Sequence, residues 1–152
     1  MSRKKLTSLE ICAGAGGQAL GLEAAGFHHS AVVEIDEWAS ETLRRNRGTK
    51  GRHGKWNVLE MDVHELDGTQ WRHKVDLFAG GVPCPPFSVA GKQLGEDDER
   101  DLFPQALRLI YEIDPPAVLL ENVKGLSQRR FESYRREVIQ RLSAMGYSVY
   151  WK

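Results

Sequence analysis

The sequence predicts an α/β fold in which a parallel sheet is covered by helices on both faces. Two observations lead to this fold class. Short apolar runs alternate with segments of helical periodicity along most of the 152 residues, and the apolar runs are continuous, as in strands that are buried on both faces. The length is that of one domain, so all the elements are expected to share one sheet.

The first two strand and helix units lie in the first third of the chain. A strand is predicted at residues 8–12, followed by the glycine turn 13–17 and a helix that ends at Gly26. A second strand is predicted at 31–35. Asp36 is expected to cap the next helix, which contains Trp38 and Leu43. Basic residues among glycines at 44–55 predict a solvated loop, with phosphate contact as the alternative.

The pattern continues with a strand at 56–61 that ends at Asp62 and a strand at 75–79 that is stopped by Gly80 and Gly81. Residues 82–101 then contain three prolines, two glycines and an acidic run. A segment of this length exceeds an ordinary connection and is typical of an active-site loop. A helix at 102–110, a strand at 117–120, a helix at 131–145 and a strand at 147–150 complete the predicted order.

Composition limits the classes of function. The chain is 41% hydrophobic and 28% charged, with 21 basic and 21 acidic residues, so its net charge does not itself indicate nucleic-acid binding. Neither a membrane span nor a secretory signal is predicted, and we expect a cytoplasmic protein without a metal site. The two cysteines are expected to be reduced thiols rather than a disulfide or metal ligands.

Polar and glycine residues follow successive predicted strands. Residues 14–19 fit the Gly-x-Gly-x-x-Gly/Ala turn, whose glycines let a ligand approach the backbone at a helix N-terminus. Glu34 is placed to accept hydrogen bonds from ribose hydroxyls, and Asp62 from an adenine amino group. The pattern predicts an adenosine-containing cofactor in a Rossmann-like fold, and its spacing leaves a dinucleotide and S-adenosyl-L-methionine as alternatives.

A second group of residues suggests covalent chemistry. Cys84 stands between Pro83 and Pro85, in a stiff extended backbone that presents the thiol. Cys12 ends an apolar strand and is expected to be a small buried residue. Glu121, at the next predicted strand end, could stabilise charge on a cytosine ring after a thiolate adds to its C6 atom.

These segments together resemble the first six ordered motifs of the DNA cytosine-5 methyltransferases. The resemblance covers nearly the whole chain and is most specific in the pairing of Pro83-Cys84 with the later Glu121-Asn122-Val123. It implies a Rossmann-like S-adenosylmethionine-dependent methyltransferase fold. Two departures are Cys12, where the family usually has phenylalanine, and Pro85-Pro86, which replace a glutamine-containing pair.

The resemblance also implies a role for each matching residue. Cys84 is implied as the nucleophile, Glu121 as the contact to N3 of a flipped cytosine, and Asn122 as a support of the catalytic loop. The implied cofactor-binding residues are Cys12, Ala13, Gly14, Ala15, Gly16, Gly17, Glu34, Ile35, Asp62, Val63 and Pro83. The implied partner is double-stranded DNA, and Lys92 and Arg100 could contact its phosphates.

Family members normally continue with a target-recognition region and a further C-terminal segment. We therefore expect residues 1–152 to be a partial catalytic core, incomplete at its C-terminus, without the target-recognition domain, and to be one piece of a split enzyme or a fragment. Three functions remain open at this point. They are cytosine-5 methylation of DNA, the same reaction on tRNA, and a catalytically silent module that binds a cofactor or a partner.

Overall fold

The computed structural model of the chain describes residues 5–46, 55–83 and 101–152. Five strands and four α-helices are present in these ranges. The strands are β1 (Leu6–Ile11), β2 (Phe27–Glu34), β3 (Val58–Glu60), β4 (Leu77–Gly81) and β5 (Ala117–Glu121). The helices are α1 (Gly17–Ala24), α2 (Glu37–Asn46), α3 (Phe103–Ile113) and α4 (Glu132–Ala144), with short 3-10 helices at Gly68–Trp71, Lys124–Ser127 and Arg129–Phe131.

The strands form one sheet in the order β3-β2-β1-β4-β5, and every pair in it is parallel. The chain moves outward from β1 through β2 to β3 and then returns to the other side of β1 as β4. The strand order therefore reverses between β1 and β4. Ligands of open parallel sheets bind at such a switch point, beyond the carboxyl ends of the strands.

Both faces of the sheet are covered at its centre, as predicted, whereas alternate residues of the edge strand β5 are exposed. Leu9, Ile11 and Phe78 point to one face, where they join the buried residues of α3 and α4 in the largest apolar cluster. Residues of opposite parity point to the other face, where Val32 packs with Ala19 of α1 and with α2 and β3 residues. Alternation between two buried faces explains why consecutive residues are buried in the central strands, as at residues 8–11 of β1 and 31–34 of β2.

Most predicted elements are confirmed with shifts of a few residues at their ends. Asp36 caps α2 as expected, because its Oδ1 accepts a hydrogen bond of 2.8 Å from the backbone N–H of Ala39. β3 is shorter than predicted, and Trp56 lies outside it, buried in a side-chain cluster where its Nε1 donates to Glu23. In the predicted basic loop, Arg44 belongs to α2 and pairs with Glu60 at 2.7 Å. Residues 47–54 lie outside the described ranges.

The predicted strand at 147–150 is wrong. Tyr147 and Val149 are half-buried and alternate with exposed Ser148 and Tyr150, so the period of two is present, but the segment is paired with no strand of the described chain. A groove of about 640 Å³ separates it from β5. A strand needs a hydrogen-bonded neighbour as well as an alternating pattern, and the pattern alone does not supply one.

Candidate active site

A cavity of about 400 Å³ opens beyond the carboxyl ends of β1, β2, β3 and β4. Its volume lies within the range of small-molecule sites in proteins. Seven of the predicted cofactor residues line it, namely Cys12, Gly14, Glu34, Ile35, Asp62, Val63 and Pro83. The topology therefore brings together side chains from four parts of the sequence at the switch point of the sheet.

The turn between β1 and α1 forms one wall of the cavity. Cys12, Gly14 and Gly16 have positive φ angles of 52°, 54° and 93°. Two of these three positions are glycines, which adopt this conformation without steric cost. Gly16 closes the turn by donating from its N–H to the carbonyl of Ala13 at 3.0 Å, and α1 begins at the next residue.

Glu34 holds the two sides of this wall together. Its Oε2 accepts a hydrogen bond of 2.6 Å from the N–H of Gly14. Its Oε1 accepts bonds of 2.9 Å from the N–H groups of Ile35 and Asp36. Three of the lone pairs that a carboxylate offers are thus used by the backbone, and the cavity-lining side chain retains acceptor capacity for a ligand hydroxyl.

Asp62 lies at the opposite wall and is paired with a residue that the sequence did not single out. Its Oδ1 accepts from the backbone N–H of His64 at 2.9 Å and lies 2.7 Å from His64 Nδ1. These hydrogen bonds lower the pKa of Asp62, so the carboxylate is ionised at neutral pH. Oδ2 has no hydrogen-bond partner among the described residues and is available to a donor in the cavity.

The surroundings of the Cys12 thiol disfavour its ionised form, unlike the surroundings of a reactive cysteine. Burial, aided by the negative charges of Glu34 and Asp62, raises the pKa of Cys12 to about 12. A thiol with this pKa is protonated at neutral pH and is a poor nucleophile. Cys12 is predicted to be a small buried residue, but it is only partly buried and lines the cavity, and its protonated thiol presents no nucleophile there.

Glu121 and Asn122 lie beside the cavity at the end of β5. Glu121 pairs in register with Gly81, and a Cβ atom placed on Gly81 would stand 3.4 Å from Glu121 Oε2. The Glu121 carboxylate therefore lies next to Gly81, which itself lines the cavity. Asn122 Nδ2 donates to the carbonyl of Val82 at 2.7 Å, which fixes the backbone that leads through Pro83 to residue 84.

The remaining predicted residues have other positions. Within the turn, Ala13 and Gly16 are buried and Ala15 and Gly17 are exposed. None of these four residues lines the cavity. Cys84, Lys92 and Arg100 lie outside the described residues. The sequence analysis missed five residues that line the cavity, namely Val33, Met61, His64, Gly81 and Leu102. Of these, His64 could have been proposed from the sequence, because it follows Asp62 by two residues and a residue at that spacing can hydrogen-bond to the carboxylate.

Two further observations concern the described part of the chain only. No group of three or more histidine, cysteine, aspartate or glutamate side chains there is arranged to hold a metal ion. In the same residues, no helix combines the length and apolar character that crossing a membrane requires.

Comparison with known proteins shows the family. The profile of the C-5 cytosine-specific DNA methylases matches residues 6–152. The chain is 57% identical to the Type II methyltransferase M.NgoMIV of Neisseria gonorrhoeae, over 97% of this chain and 45% of that protein. It is 50% identical to the Type II methyltransferase M.NaeI of Lentzea aerocolonigenes, over 98% of this chain and 35% of that protein. The chain thus spans less than half the length of these relatives.

A solved structure has the same architecture. The DNMT2 structure from Spodoptera frugiperda superimposes with a TM-score of 0.65 at 25% identity, over 92% of this chain and 41% of that one. The sheet order, the cavity at its switch point and the profile match along nearly all of the sequence agree with one another. The chain belongs to the C-5 cytosine-specific DNA methylase family.

Proposed function

We propose that this chain forms the cofactor-binding and catalytic part of an enzyme that transfers a methyl group to C5 of cytosine in DNA. One observation carries the proposal. A cavity of cofactor size, the Glu121 carboxylate and the backbone that leads into Pro83-Cys84 meet at one end of the sheet. The description of the matched family, C-5 cytosine-specific DNA methylase, favours DNA as the substrate over tRNA.

The lining of the cavity fits S-adenosyl-L-methionine. Ile35 is 66% exposed at the rim, where its apolar surface can pack on a flat ring. Asp62 Oδ2 can accept from an adenine amino group, and Glu34 can accept from a ribose hydroxyl. The turn at Gly14 leaves open space above its backbone, since a Cβ atom there would meet nothing within 4 Å. When bound, the cofactor supplies an electrophilic methyl group.

The residues of the chain activate the cytosine. In the proposed reaction, the Cys84 thiolate adds to C6 of the ring and makes C5 nucleophilic. Glu121 contacts N3 and stabilises the charge that develops on the ring. Asn122 holds the Val82 carbonyl and so orients the segment that carries Cys84. C5 would then take the methyl group from the sulfonium of the cofactor, with the thioether as the leaving group. Transfer of the C5 proton to water allows the Cys84–C6 bond to break and restores the thiolate.

A cytosine inside a duplex is out of reach of such a thiol, so the base must leave the stack. Residues 82–101, for which the sequence predicts an active-site loop, are the proposed lid over the flipped base. Double-stranded DNA is the proposed partner. Assembly with a separate C-terminal polypeptide stays a prediction of the sequence analysis.

The proposal is tested by trapping the covalent step. The purified chain is incubated with S-adenosylmethionine and duplex DNA that contains 5-fluorocytosine, because fluorine at C5 blocks the final elimination. Mass spectrometry should then show one protein–DNA adduct mapped to Cys84. A parallel incubation with 5-fluorocytosine in tRNA distinguishes the two substrates.

The two cysteines of the chain provide a matched control. Cys84→Ser should abolish the adduct without loss of S-adenosylhomocysteine binding, whereas any loss of the adduct in Cys12→Ser should accompany weaker binding of S-adenosylhomocysteine, because Cys12 lines the cavity. An adduct that persists in Cys84→Ser, or that maps to Cys12, would contradict the assignment. If no adduct forms although S-adenosylhomocysteine binds, the chain by itself binds the cofactor without performing the covalent step.

A further inference from the structure

Arg108 of α3 contacts a loop that is distant in sequence and contributes to the cavity. Its Nη2 donates to the carbonyl of Val63 at 2.8 Å, and its Nη1 donates to the carbonyl of Leu66 at 3.0 Å. The guanidinium thus bridges two carbonyls that are three residues apart. Charge-assisted hydrogen bonds of this kind are stronger than neutral ones, and the planar guanidinium presents its donors in a fixed geometry.

Glu112, one helical turn further along α3, completes the contact. Its Oε1 accepts from Arg108 Nη1 at 2.8 Å, and its Oε2 accepts from the N–H of Gly68 at 2.9 Å. A Cβ atom on Gly68 would lie 2.8 Å from Oε2, so the close approach requires glycine. The side chains of Arg108 and Glu112 are only 32% and 22% exposed, which shields the pair from solvent screening.

The loop held in this way carries the Asp62 wall of the cavity. Its first residue is anchored by the N–H of Met61, which donates to the Glu34 carbonyl at 3.1 Å. Beyond that point, α3 supplies the contacts just described at Val63, Leu66 and Gly68. Asp62 lies between the β-sheet anchor and the contacts from α3, and His64 occupies its Oδ1. The contacts from α3 therefore fix the position of the loop and, with it, the orientation of the Asp62 carboxylate at the cavity.

We propose that Arg108 and Glu112 are positioning residues for the adenine end of the cofactor, acting through Asp62. This inference rests on the proposed function, because it requires that Asp62 accepts from the adenine amino group. Arg108 does not line the cavity, so it would not contact a bound ligand directly. Its effect should therefore appear only for ligands that carry the amino group.

The experiment compares two ligands that differ at one position of the base. Dissociation constants are measured by calorimetry for S-adenosylhomocysteine and for its purine riboside analogue, in which a hydrogen atom replaces the amino group. The wild-type chain should prefer the adenosyl ligand by about tenfold, the effect of one hydrogen bond to a charged acceptor. In Arg108→Met this preference should fall to about twofold or less, through weaker binding of the adenosyl ligand alone.

Two further variants make the result decisive. Arg136→Met removes another arginine that is paired with a glutamate four residues away, on α4, and it should keep the wild-type preference. Arg108→Lys keeps the charge but not the planar fork, and it should show a partial loss of preference. This variant decides the question if Arg108→Met does not fold.

Each outcome bears on a separate claim. A preference that is unchanged in the Arg108 variants, even with both affinities reduced, would assign Arg108 a structural role only and overturn the inference. A wild-type chain that binds neither ligand would instead contradict the proposed function. A wild-type chain that binds both ligands equally would contradict the assignment of Asp62.

Discussion

At the scale of single residues, Glu10 is an unusual component of the core. It lies in the middle of β1, between Val32 of β2 and Ala79 of β4, and is 1% exposed. Neither carboxyl oxygen forms a hydrogen bond of good geometry in the described part of the chain, although the backbone N–H of Ala19 lies near enough to act on a negative charge there. Burial raises the pKa of Glu10 from 4.5 to about 8, with partial opposition from the backbone N–H of Ala19. Glu10 is therefore neutral in the folded chain at neutral pH.

This protonation predicts a pH dependence of stability. Between pH 4.5 and about 8 the folded chain keeps the Glu10 proton while the unfolded chain releases it. The contribution of Glu10 to the free energy of unfolding should therefore fall by about 1.4 kcal/mol per pH unit as the pH rises through this window. Glu10→Gln should remove that part of the slope.

Urea unfolding of both proteins at pH 5, 6.5 and 8 measures this difference. Glu10→Gln should gain stability relative to the wild type as the pH rises, and the difference should level off above about pH 8, where both states are ionised. Groups such as His29, whose pKa is lowered by burial, contribute equally to both proteins. Parallel pH profiles would show that Glu10 is ionised in the folded chain.

At the scale of elements, the turn before α1 is a tightly packed connection. Gly16 has a φ of 93°, and a Cβ atom there would stand 2.7 Å from Leu43 Cδ2 and 3.2 Å from the Trp56 ring. The turn is thus pressed against α2 and the Trp56 side chain. Glycine is required at this position by both the backbone angle and the close approach.

Gly16→Ala should therefore destabilise the chain by about 2–4 kcal/mol, the combined cost of the left-handed conformation and of overpacking. Gly21→Ala is the matched control within α1, because its Cβ atom would meet nothing within 4 Å. In a helix interior, this change should stabilise by about 0.5–1 kcal/mol. Thermal unfolding of the two variants should show a lower melting temperature for Gly16→Ala and a higher one for Gly21→Ala. Equal changes would contradict the requirement for glycine at position 16.

At the scale of the whole molecule, Asp101 connects the beginning of α3 with α4. Its Oδ1 accepts from the N–H of Phe103 at 3.0 Å, and its Oδ2 accepts from the hydroxyl of Tyr134 at 2.5 Å. Both Asp101 and Tyr134 are buried. The contact therefore joins the residue that enters α3 to a helix more than 30 positions later, on the same face of the sheet.

Tyr134→Phe should cost about 1–3 kcal/mol of unfolding free energy, because it removes a buried hydrogen bond to a carboxylate. Tyr111→Phe serves as the control, since Tyr111 lies on α3 and is 69% exposed. That change should stay within about 0.5 kcal/mol of the wild type. Urea titrations of the two variants test the prediction, and equal midpoints would show that the hydrogen bond between Tyr134 and Asp101 does not stabilise the fold.

The elements that the sequence predicted correctly depend on local pattern. The short apolar stretches within β1, β2, β4 and β5, the glycine turn and the Asp36 cap are properties of a few neighbouring residues. Parallel strands place their carboxyl ends at one edge, so the sequence alone assigns Glu34, Asp62 and Glu121 to one end of the sheet. Together with the motif order, these features were sufficient to predict the fold class and most of the residues that line the cavity.

The tertiary structure alone decided which groups contact one another across the chain. Arg108 is an ordinary helix residue in the sequence, and its bonds to Val63 and Leu66 exist because α3 packs against a loop more than 40 positions earlier. The alternating residues 147–150 show the converse, since an apolar period of two forms no strand without a paired neighbour. Local periodicity specifies elements, whereas long-range hydrogen bonds and strand pairing require partners whose positions only the folded chain provides.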